Sequence, residues 1–187
     1  MPEINDADVR LLRRAIELST VATANGNRPF GAVIGSASGE LLAEAANSNR
    51  QTGDCTAHAE IMALREAAAK GLSREVLAQA TMYASGEPCV MCAGGIFWSG
   101  IGRVVFGIDA VRMRAFRQLD SVAGDLEWSC QEIYARSPRP IEVHGSLLLE
   151  EATAPHASYW AQFQACEPKV VMSPLNRPPF RGRHELR

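Results

Sequence analysis

Three side chains with metal-binding chemistry fall in two short runs: His58 in Ala57-His58-Ala59-Glu60, and Cys89 and Cys92 in Pro88-Cys89-Val90-Met91-Cys92. One imidazole and two thiols form a donor set that suits zinc. Cysteines three residues apart on a first helical turn can both face one ion, and the positive end of a helix dipole eases their ionisation. Three protein ligands leave a fourth tetrahedral position for water, which zinc acidifies to a pKa of about 7, so that hydroxide is available as a nucleophile. Glu60 follows His58 by two residues, a turn of about 200° on an ideal helix, which puts its carboxylate beside the ion rather than on it. From there Glu60 can take a proton from the water and pass it on to the substrate and the leaving group. The chemistry this set suits is metal-assisted hydrolysis.

A competing arrangement is an inert zinc staple. Cys55-x-x-His58 also has metal spacing, and Cys55 as fourth ligand would close the site and leave a zinc-stabilised binding protein without turnover. Cys130 and Cys166 read as packing residues. An odd count of five cysteines, with no basic stretch leading into an apolar one at the start, does not make a disulfide framework. No apolar run approaches the roughly 18 residues of a membrane span, so the expectation is a cytoplasmic protein with no membrane partner. The 187 residues, 47% of them hydrophobic, suffice for one core and one active site. A formal charge of −2 supplies no field that would gather a polyanion, which points to a small, roughly neutral ligand and away from nucleic acid.

The elements that must position these groups follow from periodicity. Apolar residues Val9, Leu12, Ala15, Ile16 and Leu18 predict a first helix from Asp6 to about Gly26, capped by Asp6 or Asp8. Phe30–Ile34 and Leu41–Ala46 flank the turn-forming Ser36-Ala37-Ser38-Gly39 and read as a hairpin. Thr56–Lys70 predicts a second helix, stopped by Gly71 and carrying His58 and Glu60. Thr81–Ala84 reads as a buried strand, broken by Glu87-Pro88 ahead of a helix that starts at the cysteines and ends near Gly100. Arg103–Gly107 and Ile141–Val143 read as strands separated by a helical Ala110–Leu119, and alternation of this kind implies an α/β layered domain. Residues 1–166 form the expected domain. Residues 167–187, rich in proline and arginine, form an extended or disordered tail.

From about Ala15 to Ala110 the sequence resembles the cytidine deaminase superfamily. The resemblance rests on Arg28-Pro29-Phe30-Gly31-Ala32-Val33-Ile34, on Asn47, and on His58-Ala59-Glu60 followed by Pro88-Cys89-Val90-Met91-Cys92, the superfamily's zinc signature. It implies a three-layer α/β/α fold with a five-stranded mixed sheet, a bound Zn2+, and a homodimer or larger oligomer. Within the superfamily, Phe97-Trp98-Ser99 is similar to guanine deaminases, whereas Ile101–Gly107 is similar to bacterial tRNA adenosine deaminases. The guanine deaminase likeness implies a base pocket lined by Phe30, Asn47, Ala59 and Trp98, and a second catalytic carboxylate at Asp120, with Asp125, Glu127 or Glu132 as alternatives. Each pocket residue also has a plainer reading: Phe30 and Trp98 as core aromatics, Asn47 as a turn former, Asp120 as a solvated loop carboxylate. Pro155–Phe163 is similar to the closing segment of guanine deaminases, which in some members caps the partner's site, so that His156 would cap or line the pocket. The expected substrate is a free nucleobase, guanine first, giving xanthine and ammonia, with isoguanine, cytosine analogues and amino-s-triazines behind it. A-to-I editing of tRNA is the alternative.

Overall fold

A computed structural model describes residues 3–117, 126 and 128–164 of the chain. Asp120, Asp125, Glu127, Cys166 and the tail lie outside the described residues.

The chain opens with helix α1 (Asp6–Ala24) and the hairpin β1 (Gly31–Gly35) and β2 (Leu41–Ala46), then runs through the short α2 (Asn49–Thr52), α3 (Ala59–Ala69) and α4 (Arg74–Ala78). Strand β3 (Thr81–Gly86), α5 (Val90–Ser99), β4 (Arg103–Ile108) and α6 (Ala110–Arg117) follow, and α7 (Cys130–Tyr134), β5 (Glu142–His144) and α8 (Leu149–Gln164) complete the order. The strands make one mixed sheet in the order β2-β1-β3-β4-β5. β1 runs antiparallel to both β2 and β3, while β3, β4 and β5 are parallel.

Helices cover both faces, because successive strand residues point to opposite sides of the sheet. Ala32, Ile34, Met82, Ala84, Val104 and Phe106 face α3, α5 and α7, and Val33, Tyr83 and Val105 face α1 and α8. The result is the three-layer α/β/α architecture expected above. Small residues set the layer spacing. A Cβ on Gly31 would lie 2.2 Å from the Ala15 carbonyl oxygen, so only glycine lets α1 cross β1 at this distance.

Three details depart from the sequence reading. Asn5, not Asp6 or Asp8, caps α1. Its side chain accepts from the Asp8 N–H, and Asp8 accepts from the Asn5 N–H in return, a reciprocal capping box. Helix α3 begins at Ala59 rather than Thr56, which leaves His58 as its N-cap with extended backbone, φ −73° and ψ 152°. The segment Pro155–Phe163 belongs to α8 and packs onto its own sheet, where His156, Tyr159 and Trp160 are buried. The sequence reading assigns no helix to this segment.

Candidate metal centre and active site

The site forms at the carboxyl ends of β3 and β4, where open α/β sheets hold their ligands. Two helix N-termini converge there. Cys89 is the N-cap of α5 and Cys92 lies in its first turn, while His58 and Glu60 flank the start of α3. The extended backbone at His58 removes the rotation that an ideal helix would impose between positions 58 and 60, and both side chains line one cavity of about 240 Å3.

His58 Nδ1 lies 3.6 Å from Cys89 Sγ and 3.5 Å from Cys92 Sγ. A tetrahedral zinc with N and S bonds of about 2.05 and 2.3 Å holds such atoms about 3.6 Å apart, so the donor set fits the ion without rearrangement. The hydrogen bond with the Cys92 thiol is the largest influence holding Cys89 down at about 4, and the same bond, together with burial, pushes Cys92 far up. A divalent cation bound there would displace thiol protons. Cys55 is exposed and stands outside this cluster, so among the described residues no fourth protein ligand closes the site.

Glu60 is 5% exposed and lines the cavity next to the triad. Burial, then the charge on Cys89, push its carboxyl up to about 7, a range suited to taking and returning a proton. Asn47 closes β2 and is 3% exposed. Its Nδ2 donates to the Arg28 carbonyl at 3.3 Å and to Asn49 Oδ1 at 3.1 Å, whereas its Oδ1 is buried with no protein donor. An acceptor left in that state beside a cavity has capacity for a ligand N–H. Ala59 is buried, and its N–H belongs to the first turn of α3, where no helix carbonyl can accept it. Phe30 forms part of the wall, packed edge-on against His156 at 5.1 Å between centroids.

Trp98 is placed apart from the cavity of its own chain. It lies at the far end of α5, 74% exposed, and is not part of the cavity wall. Six residues beyond Cys92, it sits about 9 Å up the helix axis and about 120° off the ligand face. Glu132, one of the alternative carboxylates, is also placed elsewhere: it is exposed and serves the capping box of α7 with Ser129. His156 lies behind Phe30, buried, and does not face the cavity as a liner.

Several wall residues have no site role in the sequence reading. Arg28 and Asn49 line the cavity, as do Met113 and Arg114 of α6 and Leu126 and Trp128 ahead of α7. Arg114 belongs to a run that reads as a solvated charged face, and only the tertiary fold turns it toward the site. Glu87 joins these walls. Its Oε2 accepts from the Ala110 N–H at 2.8 Å and its Oε1 from the buried Cys130 N–H at 2.9 Å. One carboxylate thereby ties the starts of α6 and α7 to the Pro88-Cys89 loop. The partners lie 23 and 43 residues away, too far for spacing to reveal them.

Comparison with known proteins agrees with this geometry. The zinc-binding region of cytidine and deoxycytidylate deaminases matches residues 5–108. The chain belongs to this family. It is 35% identical over 161 residues to a probable cytosine deaminase of Schizosaccharomyces pombe, covering 84% of this chain and 95% of that protein. It is 42% identical over 103 residues to the tRNA-specific adenosine deaminase of Haemophilus influenzae, over 55% of this chain and 59% of that protein. Guanine deaminase from Nitrosomonas europaea superposes with a TM-score of 0.69 at 28% identity, covering 86% of this chain and 88% of that structure. The family is a zinc-binding one, and His58, Cys89 and Cys92 are the group in the described residues able to hold the ion.

Proposed function

We propose that this deaminase-family chain is a zinc-dependent aminohydrolase acting on a free nucleobase, guanine foremost. The observation that carries the reading is a single cavity in which the His58, Cys89 and Cys92 donors, the raised carboxyl of Glu60 and the unsatisfied Oδ1 of Asn47 stand together. Zinc held by the triad supplies a Lewis acid that acidifies water at neutral pH.

The chain's own groups do the remaining work. Asn47 Oδ1 accepts an N–H of the base, and the Ala59 N–H donates to a ring acceptor or carbonyl. Glu60 takes a proton from water, gives it to the ring nitrogen beside the amino-bearing carbon, and then assists departure of the amine. The balance is base–NH2 plus H2O to base=O plus NH3. Phe30 closes one wall against solvent, and Asp120 is proposed as a second proton carrier near the base.

Cavity size suits a single base. About 240 Å3 lies below the roughly 300–1,000 Å3 of sites for larger ligands. The likeness to guanine deaminase over 86% of the chain favours guanine, and the 35% identity to a probable cytosine deaminase makes cytosine the second reading. Met91 and Trp98, seven residues apart on one side of α5 and both exposed, support a homodimer, which light scattering of the purified protein reads directly.

The test is ammonia release from guanine, isoguanine, cytosine, adenine, ammeline and a tRNA anticodon stem, each incubated with the zinc-loaded protein. Release from guanine or cytosine alone is the expected result. Release from the tRNA stem only replaces this reading with RNA editing, and stoichiometric zinc with release from none replaces it with a non-catalytic zinc protein.

A further inference from the structure

Eight large apolar side chains are exposed among the described residues, and three of them, Met91, Leu126 and Trp128, line the cavity. Exposed apolar side chains that line a metal-binding cavity mark where a ligand makes contact. Of the three, only Trp128 offers a flat aromatic ring. It is 49% exposed, enough to meet a ligand and too much for a core residue.

The ring is held in place from two sides. The Arg136 guanidinium lies over it, 4.5 Å from the centroid, a cation–π contact that fixes the indole, and Arg136 itself donates to the Glu132 carbonyl at 2.9 Å. The backbone just beyond Trp128 is fixed by the Ser129–Glu132 capping box and by the Cys130 N–H on Glu87, two residues ahead of the metal ligand Cys89. The ring is thus registered to the metal loop through a buried hydrogen bond. With these contacts made, the residue is still 49% exposed and lines the cavity.

We propose that Trp128 is the stacking platform for the substrate's heterocycle, and that it sets specificity by favouring planar aromatic bases. This rests on the nucleobase reading above. Stacking lowers KM without touching the proton transfers, because it acts equally on ground state and transition state.

Two variants test it, W128A and W128F, in zinc-loaded protein. W128A is expected to raise KM for the preferred base by about 10-fold, the effect of removing an aromatic platform under a base, with kcat changed by less than about 3-fold. W128F, which keeps a π face, is expected to hold KM near wild type. Titration with 8-azaguanine gives a readout independent of turnover: tryptophan emission is quenched in the wild type, and W128F loses most of that quench. An unchanged KM in W128A, or a full quench in W128F, overturns the proposal. A wild type that is quenched by 8-azaguanine yet releases no ammonia from any base defeats the deaminase reading and leaves the platform standing.

Discussion

The two ends of the parallel strands hold clusters of buried polar groups that are organised in opposite ways. At the amino ends of β3, β4 and β5, Asp8 is 1% exposed and fully engaged. It accepts from the Tyr83 hydroxyl at 2.7 Å, from two Arg103 nitrogens at 2.6 and 3.1 Å, and from the Asn5 N–H at 3.0 Å. Arg103 also approaches Glu142 at 3.7 Å, and Glu142 pairs with His144. At the carboxyl ends, Asn47 Oδ1 has no protein donor, Glu60 is pushed up by burial, and three soft donors stand at ion-binding distances. The first cluster is nearly saturated, with Arg103 Nε left short of a hydrogen-bond partner, and its engaged carboxylate works as a clasp between α1 and the sheet. An unsaturated one is costly to fold and is retained where something else completes it. Mutations at the first end should therefore change stability, and mutations at the second should change chemistry.

The largest contrast is expected from C92S, which removes a proposed zinc ligand. Metal analysis should read a fall from about one zinc per chain to a small fraction, with activity lost in parallel. Retention of zinc and turnover would mean that the ion is held elsewhere.

D8N probes the other end. Breaking a buried, hydrogen-bonded ion pair costs about 3 kcal/mol, which lowers Tm by roughly 6–12 °C in a chain of this size, while kcat at neutral pH stays near wild type. Burial raises the Asp8 carboxyl, but hydrogen bonds from Arg103, Tyr83 and Asn5 outweigh it and hold the group below its ordinary value. Its stabilising contribution is accordingly present above about pH 4 and fades as pH falls through the lower folded value. Thermal melts of wild type and D8N should converge in acid, and a gap that persists there would contradict the ion-pair account.

The smallest effect in this series is N47A. Deleting the Oδ1 acceptor should cost roughly 10-fold in kcat/KM with zinc content preserved, while loss of the two Nδ2 hydrogen bonds, at about 1 kcal/mol each, lowers Tm by roughly 4–8 °C. A variant that loses zinc, or melts far below wild type, would move Asn47 from the chemical end of the comparison to the structural one.

Which parts of this could be read in the sequence depends on how far apart the interacting residues are. The zinc triad was legible because His58, Cys89 and Cys92 are uncommon donor types and two of them share one helical turn. The sheet was legible because β-branched and apolar runs at 81–84 and 103–107 are bounded by turn formers. Helix α8 was not recognised, since Pro155 lies inside it and breaks the usual signal. The cavity walls were illegible for a different reason. Arg114, Trp128 and the Glu87 clamp act across 23 residues or more, and nothing local distinguishes them from solvated or packing residues. Trp98, expected in the base pocket from the likeness of a short string, stands exposed on α5 apart from the cavity of its own chain.

The central claim, that one ion held by His58, Cys89 and Cys92 works with Glu60 as its proton carrier, is tested most directly by E60Q. Zinc content and ammonia release should be measured together on the base that the wild type prefers. The account predicts zinc equal to wild type and a rate lower by roughly 10²–10⁴-fold. Turnover close to wild type with the same zinc content would contradict it.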